Sequence, residues 1–497
     1  MVATAHRRWV LLCFLCLAIW INSIDATIAN VALPTIGQAM HATNADLQWV
    51  LDGFNVAAAG FVLLGSGLAD RYGRKRILLI GLTIFTVASA AASLSQQPGG
   101  LIASRVVMGI GVALVIPPSL SIVMVEFTDN ARKTAVAVWA GIAGLGVILG
   151  PVLGGILLSQ FSWRSVFIVN IPAAIVAFIG ILVLARESRA PGAEQLDYLG
   201  GLLSIVGLSG IVFAAIEGPV RGWDSIEVIA AGLVGALSIC AFILWELRTA
   251  HPMFEIRVLR VSGVRIGGLC LALVNFTAFA ILYLLPQYLQ YVLHMSILQV
   301  GLALLPLGAV FAVATQLTPR LYTRLGVQRI LVGGLVLMAI GLALLACMST
   351  NTTYLLTLVA MVVFALGWAA VNSPGTVVIM DSTPDALAGS ASSVNQVARQ
   401  VGGALGVAII GSIFASFYQS GIASIHSVNG PLLQGAQRSL GEALTEALTL
   451  PVAQGAALVH AATESFVRAA QIGFGVAAAI TLLVALFAVF GLRKSPK

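Results

Sequence analysis

The chain has 497 residues, 59% of them hydrophobic and only 9% charged, and its mean hydropathy is +1.01. A soluble domain carries about a quarter charged residues, so this composition excludes one and demands an all-α polytopic membrane protein with the lipid bilayer as its surroundings. The formal net charge of +7 then reads as a topology signal and not as a nucleic-acid patch.

The N-terminal sequence His6-Arg7-Arg8 and the apolar run behind it mimic a signal peptide. The run continues past Asp25 to Leu33 without a small-residue cleavage site, so it is read as a retained first span. A span needs about 20 mainly apolar residues. Fourteen stretches qualify: 9–33, 47–68, 77–96, 100–125, 133–159, 164–185, 196–217, 226–247, 264–291, 297–318, 328–349, 354–380, 388–417 and 466–490. An even number puts both termini on one side. With that side inside, the inner segments hold 20 of the 26 Lys and Arg and the outer segments four, Arg164, Arg221, Arg438 and Arg468. The asymmetry predicts cytoplasmic termini and a place in the cell membrane.

Leu68–Arg76 reads L-A-D-R-Y-G-R-K-R, and Leu321–Arg329 reads L-Y-T-R-L-G-V-Q-R. Leu, Arg, Gly and the last Arg coincide at an offset of 253 residues. The repeat predicts two related six-helix bundles, 9–185 and 263–490, with two helices inserted across 186–262. Repeated halves around a central cavity are the architecture of secondary transporters. The second half includes a long outer connection, 418–465, within which Gln437–Ala447 suits a short amphipathic helix. That connection is read as an extracytoplasmic cap.

In Gly141–Gly155 six of fifteen residues are Gly, and Gly146, Gly150 and Gly154 recur every fourth position. On a helix they line one face, and Gly155 extends it. A bare Gly face lets another backbone come close, and Pro151 removes a donor and invites a bend. The stretch contains no ionisable group, so it is expected to serve as a hinge or seal against the other half of the molecule.

Ionisable residues inside a bilayer are costly and mark function. Asp25 lies about 24 Å from the inner end of its span at ~1.5 Å per residue. Arg105 enters the fourth span from outside and reaches a similar depth, as does Asp52 in the second. A carboxylate beside Arg loses proton affinity while desolvation raises it, so such an acid can load and unload a proton as its exposure changes. Asp25 and Arg105 are therefore the candidate proton-coupling pair. Asp52 is a candidate for substrate binding. So is Arg399, about eleven residues into the thirteenth span with no acidic partner evident at its depth. Glu217 reads as a solvated residue near the mouth. On the inner face, Asp70, Arg71, Gly73 and Arg74 suit a latch that holds in one conformational state.

No G-x-x-x-x-G-K-[ST] sequence provides an ATP site. The five Cys all lie in apolar runs, and the six His fall near termini, span ends or loops, so neither metal nor cofactor is expected. An ion gradient is then the expected driving force, and protons suit an isolated Asp.

These motifs resemble the major facilitator superfamily, and within it the fourteen-helix drug:proton antiporters. Gly146-x-x-x-Gly150-Pro151-x-x-Gly154-Gly155 resembles the fifth-helix antiporter motif. The stretch Asp25-Ala26-Thr27 through Ala32-Leu33-Pro34 is similar to the first-helix signature of that branch. Asp70-Arg71-Tyr72-Gly73-Arg74-Lys75 is similar to the cytoplasmic loop motif, with Ser66 where the family usually begins with Gly. Arg105 to Gly111 resembles the fourth-helix motif, whose Arg the family links to proton transfer; Met108 stands where Gln is common. Trp163-Arg164 and Asn170-Ile171-Pro172 also fit the branch. Asp52 resembles the second-helix acid of quaternary-ammonium exporters. Those relatives carry acids in helix thirteen, where this chain has Asn395, Gln396, Arg399 and Gln400. The departure sets lipophilic monocations and neutral or zwitterionic compounds at least level with dications as expected substrates.

The resemblance implies proton-coupled efflux of small amphipathic or cationic compounds by alternating access, performed by a monomer without catalysis. Two alternatives stay open. One is an exporter of a particular metabolite, lipid or siderophore; the other is a membrane-embedded enzyme or sensor.

Overall fold

The computed structural model describes residues 2–189, 197–249, 252, 254–383, 388–423 and 431–492. All regular structure among them is helical. Apolar runs of this length can satisfy their backbone groups in lipid only that way.

The first helices in chain order are α1 (Val2–Met40), α2 (Asn44–Tyr72), α3 (Arg74–Leu94), α4 (Pro98–Ala113), α5 (Ile116–Glu126) and α6 (Asp129–Gln160). Then follow α7 (Ser165–Ile168), α8 (Asn170–Leu184), α9 (Tyr198–Arg221) and α10 (Ile226–Glu246). The remainder are α11 (Ser262–Gln287), α12 (Ile297–Leu325), α13 (Val327–Ala346), α14 (Tyr354–Asp381), α15 (Ala388–Ala423), α16 (Pro431–Arg438), α17 (Leu440–Ala447) and α18 (Val452–Leu492).

Each of the fourteen predicted stretches falls on this helical series. Twelve helices among the described residues are long and apolar enough to cross a membrane, or thirteen if the pair Asn44–Val62 and Leu64–Tyr72, bent by 48°, is one span. The stretch 133–159 lies in α6, of which Leu149–Gln160 registers as a shorter apolar helix. The structure therefore establishes a multi-pass protein of twelve to thirteen such helices; the figure of fourteen rests on the sequence.

Local breaks follow from sequence. Span four divides at Leu114 and Val115, immediately before Pro117 and Pro118 in the first turn of α5, where a missing N–H costs nothing. Gly73, at φ +117°, separates α2 from α3, and Gly326, at φ +89°, separates α12 from α13. These are the two glycines of the 253-residue repeat, and both adopt a backbone conformation that side chains disfavour.

The outer connection differs from expectation. Helix α15 runs on to Ala423 and α18 starts at Val452, so regular spans consume much of 418–465. The single amphipathic helix predicted over Gln437–Ala447 is two, α16 and α17, parted at Ser439, whose hydroxyl accepts from the Glu442 amide and caps the second. Residues 424–430 lie outside the described residues.

The chain forms two compact units. The first comprises Met1–Ala29, Val50–Gly210 and Leu233–Glu255; the second comprises Asn30–Trp49, Ile211–Gly232 and Ile256–Lys497. In the first, α3 packs on α4 and α8, and a buried cluster joins α1 (Leu11, Leu15) to α3 (Leu78, Leu82) and α8 (Ile181). In the second, α11 packs on α15 and α14, and α13 on α14 and α18.

Candidate functional site

Asp25 of α1 and Arg105 of α4 are 0% and 1% exposed, and they form an ion pair through Oδ2 and Nη1. The other carboxylate oxygen, Oδ1, accepts from Asn170 Nδ2 of α8 at 2.8 Å. Arg105 is fixed in turn: Nε donates to the Val50 carbonyl of α2 at 2.9 Å, and the guanidinium stacks 4.3 Å from the Phe54 ring centroid. Three helices thus meet at one carboxylate, and α2 braces its arginine. A buried pair is stable only when its other polar groups also find partners, and here the second carboxylate oxygen and the Arg105 Nε have them. The equal depth deduced for Asp25 and Arg105 is realised as contact. Asn170 was legible only as part of Asn170-Ile171-Pro172; nothing in its spacing pointed to Asp25.

Asp52 is likewise fully buried in α2, but it does not join this pair. Among the described residues neither of its oxygens has a donor in hydrogen-bond geometry, and no base forms an ion pair with it. The predicted layer of two acids and one base is therefore one bonded pair plus a separate carboxylate.

The glycine face of α6 packs against α1 within the first unit, and this corrects the expectation that it meets the other half of the molecule. A side chain at Gly146 would come 2.6 Å from Ser23 Cβ and 3.0 Å from the Trp20 carbonyl oxygen. One at Gly150 would collide with Thr27 Oγ1 and lie 3.1 Å from the Ile24 carbonyl oxygen. Gly146 and Gly150 therefore abut the helical turns that flank Asp25. Pro151, Gly154 and Gly155 are buried further along, and the helix continues through the proline to Gln160.

In the loop between α2 and α3, Asp70 Oδ1 accepts from Arg74 Nε at 2.9 Å and Nη2 at 2.8 Å. Arg71 lies over the Tyr72 ring. Asp70 is thereby tied to Arg74, the first residue of α3. The capping acid is Glu187, which follows α8 and which the sequence reading missed. It accepts from the backbone amides of Lys75 at 3.1 Å and Arg76 at 3.2 Å, at the positive end of α3. A side chain at Gly73 would lie 2.6 Å from the Glu187 carboxylate. An acid set between Arg186 and Arg189 was the available signal.

In the second unit, Arg399 of α15 is half-buried and held by three neutral oxygens. Nε donates to Asn395 Oδ1 at 2.8 Å, Nη1 to Asn372 Oδ1 at 2.7 Å and Nη2 to Thr376 Oγ1 at 3.2 Å. Glu217 is not a solvated mouth residue. It is 13% exposed, accepts from Trp49 Nε1 at 2.9 Å and Arg221 Nε at 2.7 Å, and so ties the end of α9 to the start of α2. Glu442 of α17 lies between His41 (3.5 Å) and Arg438 (3.9 Å).

Comparison with known proteins agrees with this arrangement. Residues 15–407 match the Major Facilitator Superfamily. The multidrug resistance protein Stp of Mycobacterium tuberculosis is 33% identical over 402 residues, 81% of this chain and 75% of its own length. The tetracenomycin C resistance and export protein of Streptomyces glaucescens is 30% identical over 99% of this chain and 93% of its own. The methyl viologen resistance protein SmvA of Salmonella typhimurium is 30% identical over 99% of both chains. A bacterial homologue of the human lysosomal transporter Spinster, at 18% identity, superposes with a TM-score of 0.69 over 99% of both chains. A peptide transporter POT, at 13% identity, gives 0.66 over 97% of this chain and 94% of its own. The fold of these solved structures is thus shared along the whole chain, and with the match across residues 15–407 and three relatives at 30% identity or above, the chain belongs to the Major Facilitator Superfamily.

Proposed function

We propose that this chain is a proton-coupled exporter of small amphipathic compounds, and not an enzyme. It works by alternating access in the cell membrane, as a monomer with both termini cytoplasmic. The offset repeat supports two six-helix halves, 9–185 and 263–490, with the helices across 186–262 as an insertion.

The observation that carries the reading is the Asp25–Arg105–Asn170 constellation, a buried carboxylate held by groups from two other helices. In the proposed cycle, helix movement exchanges one of these partners for a proton on the Asp25 carboxyl. Helix movement and protonation are then two faces of one equilibrium, which is what antiport requires. Arg105 tunes the exchange. Asp70, Arg71, Gly73 and Arg74, with Gly146, Gly150, Pro151, Gly154 and Gly155, transmit and limit the movement.

The names of the relatives support efflux of foreign compounds. One is named for methyl viologen, an organic dication, so organic cations are the first substrates to test. Asp52, buried and without a basic partner among the described residues, is the residue assigned to recognise them. The test is the full chain reconstituted in liposomes with a pH-sensitive dye inside. Adding ethidium is expected to move protons against the direction of ethidium, and ethidium movement with no proton response would contradict the proposal. With Asp52→Asn, loss of ethidium movement while neutral compounds still move supports the recognition role; equal loss of both contradicts it.

A further inference from the structure

Arg105 and Arg399 are the two bases that the sequence places within spans, and their surroundings differ in one respect. Arg105 has Asp25. Arg399 has only the amide oxygens of Asn395 and Asn372 and the hydroxyl of Thr376, and among the described residues no carboxylate pairs with it. These partners hold the guanidinium in place but leave its charge uncompensated. A cation kept inside an apolar helical layer without a counter-charge is costly, and its retention calls for an anion at some stage of the working cycle.

The geometry also says what the anion must look like. Thr376 Oγ1 accepts from Asn395 Nδ2 at 3.0 Å and from Arg399 Nη2, and it donates to the Asn372 carbonyl at 3.1 Å, so the hydroxyl is fully used. The Asn395 amide is engaged at both ends. A guanidinium has five N–H groups in a rigid fork; three are taken here, and each terminal nitrogen retains one. The planar fork thus keeps two donors free for the oxygens of an anion. Asn372 and Thr376 are four apart on α14, and Asn395 and Arg399 four apart on α15, so the cluster is a rigid seam between two helices and not a floppy surface arginine. Arg399 keeps partial exposure.

We propose that Arg399, positioned by Asn372, Thr376 and Asn395, is an anion subsite that receives the carboxylate of an amphipathic substrate. The proposal deepens the exporter reading and rests on it. The exporter then handles acids and zwitterions in addition to the cations assigned to Asp52.

The test uses everted membrane vesicles carrying the full chain, from cells lacking their own exporters, energised to be acid inside. Three fluorescent probes are compared: dansylglycine, its uncharged methyl ester, and the cation ethidium. Wild type is expected to accumulate dansylglycine with an apparent affinity about tenfold or more above that of the ester. At matched abundance Arg399→Gln should lose about that factor for dansylglycine and leave the ester and ethidium unchanged, with Arg399→Lys intermediate because it keeps the charge without the fork. A wild type that moves ethidium but does not prefer the acid to its ester overturns the subsite, and this result does not depend on how any variant folds. Arg399→Gln losing ethidium and dansylglycine alike overturns it in favour of a purely structural arginine. A wild type that moves none of the three probes contradicts the exporter reading itself and removes the subsite with it.

Discussion

At the scale of single residues, the chain distributes its buried charges in three ways. Asp25 is compensated by a base and an amide, Arg399 is braced by neutral oxygens, and Asp52 has no basic partner among the described residues. The sequence singled out all three from hydropathy alone, because a charge in an apolar run stands out whatever the fold. It missed Asn170 and Glu187, whose roles depend on which helices become neighbours, and no local pattern encodes that. Glu442 adds a titration outside the spans. Burial lifts its carboxyl above the usual range; Arg438 and His41 oppose the rise and Glu446 adds to it. Such a group binds its proton more readily in the folded chain than in the unfolded one. Its stabilising contribution is therefore complete at acid pH, and is lost as pH rises from the ordinary 4.5 through the raised value. The detergent-purified protein should accordingly melt at a lower temperature as pH is raised from about 4 to about 7, and Glu442→Gln should flatten that slope. An unchanged slope in the variant would remove Glu442 as its source.

At the scale of elements, α6 was read correctly as a close-packing helix and wrongly for its partner. Periodicity shows that Gly146, Gly150 and Gly154 share a face; it does not show what lies opposite. The structure puts Ser23, Ile24 and Thr27 of α1 there, on either side of Asp25 in sequence. In the proposed cycle this face limits how α1 can shift. Gly150→Leu must push α1 aside, at a cost of about 1–3 kcal/mol for overpacking. It should slow substrate–proton exchange about tenfold and admit a proton leak, since 1.4 kcal/mol corresponds to a factor of ten. Gly141→Leu is the control, because nothing lies within 4 Å of that position. If the two variants behave alike in a liposome leak assay, the face has no mechanical role. The outer connection shows the same limit on reading: a helix was expected near Gln437–Ala447, but the Ser439 cap that splits it depends on the backbone path taken there.

At the scale of the whole molecule, composition settled the class, and the repeat at Gly73 and Gly326 was visible before the structure gave both glycines positive φ. The helical stretches were legible because a membrane leaves the chain few alternatives. What remained hidden was the grouping of helices, since lipid-exposed and protein-facing spans are similarly apolar. The central claim is that Asp25 links proton movement to substrate movement. Its most direct test is ethidium transport by Asp25→Asn in vesicles under an imposed pH gradient, beside exchange of ethidium without a gradient. The account predicts that the variant loses its response to the gradient while still exchanging ethidium across the membrane. A variant that accumulates ethidium in response to the gradient as wild type does would contradict it.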